Sequence, residues 1–403
     1  MKAKKYLIPV AVSMLMLVVS CKKEKNGPDG NLSSVMSIPL GTARAGTPYY
    51  ALDNTGKYLF LFVRDLNYNN GVVQKIDISG STPVLEKTIT IPGAVPISPD
   101  NVVVTEDNQF IGTFYNFLPP AQLIYKFDAN LNITKIDTMA KGQGGNFGRT
   151  RLVKNGKGKI TGIYSNKYKT KCFLTYKNMD ENLNVINQLT DTSAEYGTSN
   201  ITGSGLIKTS DGGYLYCADN VEIVYLTTET LLEKRDANFN LQWRTKYKPT
   251  PPFHASPGTL IESNGKYYVY CSNTTNPQSS FVLVYDLNGV LLQNTPLTVD
   301  GIVYRGNTTT EPIRMTENGE FLILASATLN TAPNQQRGIL YHTDANLNVL
   351  SSQIYGGKGV VGSLIKIREN KYLHFYLDNS FAPDNNLPRL VFRYMDAKGN
   401  VIK

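Results

Sequence analysis

Histidine, cysteine and tryptophan are scarce in this chain of 403 residues, which has three, four and one of them respectively. The short motifs of common catalytic sites are also missing: there is no GxSxG elbow, no HExxH pair and no P-loop. No two cysteines have the spacing of a metal or redox site. The sequence thus lacks the familiar enzyme signatures, and it predicts no metal and no cofactor.

The cysteines also argue against a disulfide framework. Apart from Cys21 they are Cys172, Cys217 and Cys271, and an odd number cannot all pair within one chain. Cys217 and Cys271 hold equivalent positions in adjacent repeats, where diverging strands would keep their Cα atoms too far apart for a bridge. We therefore expect free, buried thiols that pack as small hydrophobic side chains.

Positive charge is present but is not concentrated. The whole chain has a net charge of +9, and residues 21–403 carry 38 basic and 32 acidic side chains, a net charge of +6. A nucleic-acid groove usually gathers its charge on one face or in one run. The even distribution predicts a solubilising surface and no nucleic-acid partner.

The only long apolar run lies at the N-terminus, where Lys2, Lys4 and Lys5 precede a largely apolar region of 13 residues, 7–19. This run is too short to span a membrane and is typical of a secretory signal. It ends in Val-Val-Ser-Cys at 18–21, which resembles the bacterial lipobox. The resemblance implies a signal peptide at 1–20, an acylated Cys21 and a polar tether over 21–33. It also implies a lipid-anchored envelope protein, with Lys22 after the cysteine favouring the outer membrane; the alternative is an ordinary signal peptide with a chance cysteine.

The rest of the chain is built from a repeat of about 50 residues. One phrase, an alternating apolar run, an aspartate, a turn and a second alternating run, occurs seven times. The aspartates are 51, 52, 56, 50, 58 and 52 residues apart: Asp77, Asp128, Asp180, Asp236, Asp286, Asp344 and Asp396. A period of this length made of strands and tight turns is typical of a β-propeller.

A second phrase upstream of each aspartate completes a unit of four strands. It is a turn, often Asn-Gly or Asp-Gly, followed by an aromatic-rich strand, as in SDGGYLYCA from Ser210. Such pairs predict type I′ hairpins, in which two consecutive residues have positive φ. We predict an all-β, monomeric, seven-bladed propeller over 34–403. The last unit has a truncated fourth strand, so residues 34–40 are expected to complete it beside the strand near Asn400 and close the ring.

The repeated aspartates have a structural interpretation. In a D-x-N turn the carboxylate accepts hydrogen bonds from backbone N–H groups two residues further on. Seven acids at one point of seven repeats are therefore expected to stabilise turns rather than to catalyse. His342 and His374 fall in strand patterns and are expected to be packed or exposed at blade surfaces, and Trp243 is expected to pack.

The repeat resembles those of secreted lipoproteins from Bacteroidota-like bacteria, which carry a lipobox, a polar tether and repeats of the form sDGGYL…kxDxNGNxxW. Residues 210–216 with 234–243 (SDGGYLY…KRDANFNLQW) are the closest copy, and the other six lack the tryptophan. The resemblance implies a propeller on a lipid anchor. It implies no specific activity, since one propeller fold hosts many functions.

Candidate ligand contacts come from the connections between units, which a propeller gathers at one end of its axis. Loops rich in Asn, Thr, Tyr, Gly and Arg suit glycans or peptides, although any surface loop has a similar composition. Three arginines in equivalent connections form a candidate cationic ring for carboxylate or sulfate groups, with solvated arginines as the alternative. The candidate contacts are Arg44, Arg149, Tyr196, His254 and Arg305.

Two classes of function stay open. The first is a non-enzymatic binding or scaffold lipoprotein for a glycan or peptide. The second is a propeller enzyme that cleaves polysaccharide with acids from the same connections: Asp65, Glu195, Asp300 and Glu311. Such an enzyme requires paired carboxylates about 5–10 Å apart. The scarcity of histidine and the missing motifs favour the first class.

Overall fold

The structure is a computed structural model that describes most of the region predicted to be the propeller. The described residues are 36–39, 43–65, 67, 69–96, 102–117, 120–141, 147–168, 171–192, 200–222, 227–249, 255–273, 279–297, 302–304, 312–329, 332–355, 361–378 and 389–402. The predicted signal peptide at 1–20 and tether at 21–33, with Cys21, lie outside these residues. No helix in the described part of the chain is long and apolar enough to cross a membrane.

The described residues form strands that group into seven antiparallel sheets, confirming the predicted seven-bladed propeller. The first three blades are β2 (Ala43–Leu52), β3 (Tyr58–Asp65), β4 (Gly71–Asp77), β5 (Val84–Ile91); β6 (Ala94–Pro96), β7 (Val102–Val104), β8 (Phe110–Phe117), β9 (Pro120–Phe127), β10 (Ile133–Lys141); and β11 (Phe147–Lys154), β12 (Lys159–Tyr168), β13 (Lys171–Asp180), β14 (Val185–Asp191).

The remaining four blades follow the same order. They are β15 (Asn200–Lys208), β16 (Tyr214–Glu222), β17 (Thr227–Arg235), β18 (Leu241–Tyr247); β19 (Ser256–Ser263), β20 (Lys266–Asn273), β21 (Ser279–Asp286), β22 (Leu291–Leu297); β23 (Ile302–Tyr304), β24 (Ile313–Met315), β25 (Phe321–Leu329), β26 (Ala332–Thr343), β27 (Val349–Tyr355); and β28 (Val361–Arg368), β29 (Lys371–Asp378), β30 (Arg389–Met395) with β1 (Met36–Pro39).

The first strand of each blade is the innermost. First strands of successive blades contact one another around the ring, from β2 through β7, β11, β15 and β19 to β24, and β28 contacts β2. Each strand pairs with the next one along the chain, so the fourth strand lies at the rim. Blades 2 and 6 have a split first strand, of which both parts pair with the second strand.

The ring is closed by two ends of the chain that share one strand position. β1 pairs antiparallel with β30, with Met36 opposite Phe392, and Val401 forms a bridge with Met395. The backbone N–H of Ile402 also donates to the Tyr394 carbonyl at 2.8 Å. The prediction that 34–40 completes blade 7 is confirmed, and its partner is the third strand, β30, rather than the strand near Asn400.

Both faces of each blade are covered by a neighbour, which explains the aromatic content of the strands. Between blades 1 and 2, for example, Phe60 and Phe110 lie with ring centroids 3.7 Å apart, and Phe62 contacts Phe114 and Phe127. All of these rings are at most 1% exposed. Burial of apolar area at about 25 cal/mol per Å² therefore acts at every blade-to-blade interface, and no single central core is needed.

The seven aspartates do what the sequence predicts. Asp236 accepts the backbone N–H groups of Asn238 and Asn240, each at 2.8 Å, and the side-chain amide of Asn240 at 2.9 Å. The hydrogen bond from the side-chain amide of Asn240 is the largest of the interactions that lower the pKa of Asp236 below its ordinary value. The same contacts recur around Asp128, Asp180, Asp344 and Asp396.

One turn feature was not anticipated. In six of the seven blades the residue three positions after the aspartate has positive φ, a conformation that disfavours every residue except glycine. It is glycine in two blades, but in four others it is a large side chain that is at most 2% exposed: Leu131, Leu183, Phe239 and Leu347. Phe239, for instance, packs against Tyr176 and Tyr214. Burial between blades outweighs the backbone strain, which is of order 1–2 kcal/mol.

The prediction of type I′ hairpins is wrong for most units. Among the described residues, consecutive positive φ values occur only at Asn264 and Gly265. The turns at Gly212 and Gly319 have one positive-φ residue each, preceded by Asp211 and Asn318 in ordinary conformations. A longer turn with a single left-handed glycine connects these strands equally well.

Candidate functional site

The end of the ring opposite the aspartate turns is where a ligand site is expected. Antiparallel pairing brings the start of each first strand next to the end of each second strand, so the connections between blades meet the second-to-third-strand connections there. In a propeller these connections converge on the axis. The gaps in the described residues after residue 65 fall mainly in these same connections.

The innermost strands share an interruption near this end. In the first six blades, extra residues enter the first strand and shift its register against the second strand. They lie between Arg44 and Tyr49, Pro96 and Val102, Phe147 and Thr150, Gly203 and Gly205, Pro257 and Thr259, and Tyr304 and Ile313. Bulges of this kind bend a strand, re-aim side chains and are common beside functional sites.

The structure places the backbone of two predicted ligand contacts at these interruptions. Arg44 lies in β2 opposite Arg64, directly before its interruption, and Arg149 lies inside that of β11. The expectation that both lie in loops is wrong, because the first strands begin earlier than the sequence pattern indicated. Arg305, Tyr196 and His254 fall outside the described residues; in the sequence, Arg305 directly follows β23 at the equivalent interruption.

Polar side chains that the sequence pattern did not single out are buried beside these strands. Arg151 in β11 is 0% exposed, and its neighbour Thr150 donates a hydrogen bond to Gln122 of blade 2. Burial raises the pKa of Tyr216, a residue of blade 4, and the charge of Arg151 opposes that rise, so the two side chains are close. Burying a guanidinium costs free energy unless polar neighbours satisfy it. Such a residue therefore restricts which arrangement of side chains is stable at this interface.

One of the four acids proposed for an enzyme is already committed to structure. Asp65, at the end of β3, is 8% exposed. It accepts the backbone N–H groups of Asn69 at 2.9 Å and Asn70 at 3.1 Å, and the Asn70 amide at 2.7 Å. Its carboxylate thus holds the connection between β3 and β4. Glu195, Asp300 and Glu311 lie outside the described residues.

A four-charge network joins blades 3 and 4 beside the Asp236 turn. Arg244 contacts Glu233 at 2.6 Å and Asp191 at 2.9 Å. Arg235 contacts the same two carboxylates, and Tyr176 donates to Glu233. The two arginines and two carboxylates of this network balance in charge, and the network holds blade 3 against blade 4. Sequence periodicity gave no signal for it, because residues 233–235 are three consecutive charged residues that are all at most 3% exposed.

The motif that carries the lipoprotein resemblance is also structural. Lys234, 1% exposed, donates to both oxygens of Asp211, at 2.9 and 2.7 Å. Burial would raise the pKa of Asp211, but hydrogen bonds from Lys234 and Thr209 lower it to about 2. Trp243 packs over the next blade and donates to the Leu287 carbonyl at 3.0 Å, as expected of a packing residue. The Lys234–Asp211 pair therefore joins parts of blade 4, and Trp243 holds blade 4 against blade 5.

The remaining histidines and cysteines are packed, as predicted. His342 contacts Glu320 at 2.7 Å, and His374 is 0% exposed. Cys172, Cys217 and Cys271 are free and buried. Burial raises the pKa of Cys271 to about 12, which makes it an inert thiol. No group of three metal-ligating side chains occurs within the described ranges.

Comparison with solved structures gives the fold and no more. A protein of unknown function from Dyadobacter fermentans aligns with a TM-score of 0.50 and 9% identity, over 90% of this chain and 99% of its own. Polysaccharide lyase Uly1 aligns with a TM-score of 0.51 and 11% identity, over 87% and 90%. A Synechocystis apocarotenoid oxygenase mutant gives 0.50 and 12%, over 91% and 90%. No protein-family model and no curated protein sequence matches the chain.

Proposed function

We propose that this protein is a lipid-anchored propeller of the bacterial cell envelope that binds an anionic glycan or peptide at the axial end of its innermost strands. It acts there as a binding or scaffold module and not as an enzyme. The anchor is acylated Cys21, and the outer membrane is the favoured location.

The observation that carries the proposal is the recurrence of arginine at the interrupted first strands. Arg44 and Arg149 have their backbone at the interruptions of blades 1 and 3, and Arg305 follows β23 in blade 6. Because first strands surround the axis, residues at equivalent heights in different blades face a common opening. Arginine binds carboxylate and sulfate groups through paired N–H donors, so such an arrangement favours an acidic ligand.

The engagement of the described acids supports binding over catalysis. Asp65 is held by three hydrogen bonds, and the repeated aspartates each accept several donors within their own turn. Asp191 and Glu233 neutralise two arginines. General acid–base catalysis needs a carboxyl group that can exchange a proton with the substrate, and these carboxylates are instead engaged by structural hydrogen bonds and ion pairs.

The test uses the chain with Cys21→Ser, so that it stays soluble, and an array of carboxylated glycans, sulfated glycans and acidic peptides. The variant Arg44→Ala/Arg149→Ala/Arg305→Ala should lose at least about tenfold in affinity for any ligand found, since each desolvated charged contact contributes about 1–3 kcal/mol. Tyr196→Ala and His254→Ala should weaken the same ligand.

The matched control removes three positive charges at the opposite end, where the exposed lysines of the turns lie: Lys157, Lys159 and Lys398. The control variant should bind normally. If both triple variants weaken binding equally, the attraction is only net charge, and if neither does, the site lies elsewhere. Release of shortened glycans from the array would replace the proposal with a polysaccharide-cleaving enzyme.

A further inference from the structure

Three buried polar atoms meet between blades 6 and 7 without hydrogen-bond partners among the described residues. They are Nδ1 and Nε2 of His374 in β29 and Oη of Tyr355 at the end of β27. The side chains are 0% and 1% exposed, and their rings meet edge to face with centroids 4.2 Å apart. Native proteins pair such atoms with protein groups or with ordered water, so this cluster requires a partner.

Two glycines shape the space around these atoms. Gly338 lies opposite Tyr355 in the strand register, and a Cβ at Gly338 would lie 2.2 Å from the tyrosine ring. The missing side chain lets the ring of Tyr355 cross the third strand toward the interior. Gly362, in the innermost strand β28, is the second of these glycines. A Cβ there would lie 3.0 Å from Tyr355 Oη and 3.2 Å from His374 Nε2.

The two polar atoms therefore face one small notch beside Gly362. Neither atom donates to the other, yet each is within hydrogen-bond reach of the same region. A Cβ at Gly362 would already be in tight contact with both atoms, so an occupant beside Gly362 has one or very few heavy atoms. A water site needs at least two polar partners, and this notch supplies them.

The charge of the surroundings decides what kind of occupant fits. Burial, and then the nearby charge of Arg393, lower the pKa of His374 well below its usual range, so the imidazole is neutral. Arg393 itself donates to Tyr376 Oη at 3.0 Å. A neutral imidazole has one donor and one acceptor, and a phenol hydroxyl also does both. The occupant must in turn both donate and accept, and a cation is disfavoured beside the guanidinium.

We propose that the notch at Gly362 binds one internal water molecule, which bridges Tyr355 Oη of blade 6 and His374 Nε2 of blade 7. The water makes the polar link that other interfaces make directly. Between blades 3 and 4, for example, Thr161 donates to Tyr214 Oη at 2.9 Å. Glycine at 362 is needed for the water to fit.

Gly362→Ala tests this proposal, because the new methyl group takes the place of the water. Gly205→Ala is the matched control: Gly205 also lies in an innermost strand, and its Cβ would meet Cys217 Sγ at 3.2 Å and Leu260 Cδ2 at 3.3 Å. Both glycines lack positive φ, so neither substitution strains the backbone. The control thus measures crowding of similar closeness without the polar atoms.

We expect Gly362→Ala to lower the folded-to-unfolded ratio at least about tenfold more than Gly205→Ala, measured by urea unfolding. In a Tyr355→Phe background one partner of the water is already gone, so the excess should fall to about threefold or less. Equal losses at the two glycines, or an excess that Tyr355→Phe leaves unchanged, would overturn the proposal.

A high-resolution crystal structure of the unaltered chain gives a second test that does not depend on a variant folding. It should show a density peak within about 3.2 Å of both Tyr355 Oη and His374 Nε2. Ordered side chains without a peak, or a direct bond between the two atoms, would contradict the bridge. A peak too large for one oxygen atom would instead identify a bound organic molecule, which also overturns the assignment to water.

Discussion

Replacing Gly289 with alanine is expected to destabilise the propeller through two effects that can be separated. Gly289 occupies the positive-φ position of the blade 5 turn, with φ of 82°. In four other blades this position holds a large buried side chain, but here a Cβ would lie 2.7 Å from Cε3 and 2.8 Å from Cδ2 of Trp243. The indole of blade 4 thus fills the space that a side chain would need.

The expected magnitude follows from the two contributions. An alanine in the left-handed region costs about 1–2 kcal/mol, and forcing a methyl group against a packed ring costs about 1–3 kcal/mol more. Gly289→Ala should therefore lower the free energy of unfolding by about 2–5 kcal/mol. Gly319→Ala is the control for backbone strain alone, since Gly319 has φ of 77° and a Cβ there would meet nothing within 4 Å. It should cost about 1–2 kcal/mol.

The double variant isolates the contact with Trp243. In a Trp243→Ala background the ring is gone, so Gly289→Ala should cost no more than Gly319→Ala does. Urea unfolding of the four variants of this cycle gives the coupling free energy, expected at about 1–3 kcal/mol. The reasoning fails if Gly289→Ala costs the same as Gly319→Ala in the unaltered chain, or if the two substitutions at blade 5 and blade 4 are additive.

Three further predictions concern ring closure, acid stability and the anchor. Ser37→Cys with Val391→Cys, which face each other across β1 and β30, should form a disulfide that speeds migration on non-reducing gels and stabilises the ring by up to about 5 kcal/mol; failure to cross-link would contradict the register. Partial burial acts to raise the pKa values of Asp211 and Glu317, but their ion pairs and hydrogen bonds lower both to about 2. The unfolded chain then binds more protons, so unfolding free energy should fall as pH drops from about 4.5 to 2, and Asp211→Asn/Glu317→Gln should flatten that slope. Cys21→Ala should abolish labelling by radioactive palmitate, and equal labelling of both proteins would refute lipidation.

The repeat period and the turn chemistry made most of the fold predictable. Seven aspartates at spacings near 50 residues defined seven units, and the truncated last unit pointed to closure by residues 34–40. These features are local. Alternation of apolar and polar residues predicts a strand, and the aspartate of a D-x-N turn accepts hydrogen bonds from the backbone of its own turn. The candidate arginines were chosen because they occupy equivalent positions in different repeats. In the structure, Arg44 and Arg149 lie at the equivalent interruptions of two first strands.

Two departures from those expectations arise where one blade meets another. Phe239 has a backbone conformation that its residue type disfavours, because Tyr176 and Tyr214 of the adjoining strands bury its ring. Glu233 and Arg235 are buried because Asp191 and Arg244 come from strands about 40 residues before and ten residues after them. No pattern of neighbouring residues in the sequence predicts these contacts.

The sequence by itself determined the units, their number and the aspartate turn within each, since these depend on residues a few positions apart. The tertiary structure decided what lies between units: the indole over Gly289, the four-charge network and the notch where Tyr355 meets His374. The physical reason is that a blade buries both of its faces only against its neighbours. The groups that share an interface are therefore brought together by ring geometry, from 19 residues apart in the chain for Tyr355 and His374 to 46 for Trp243 and Gly289.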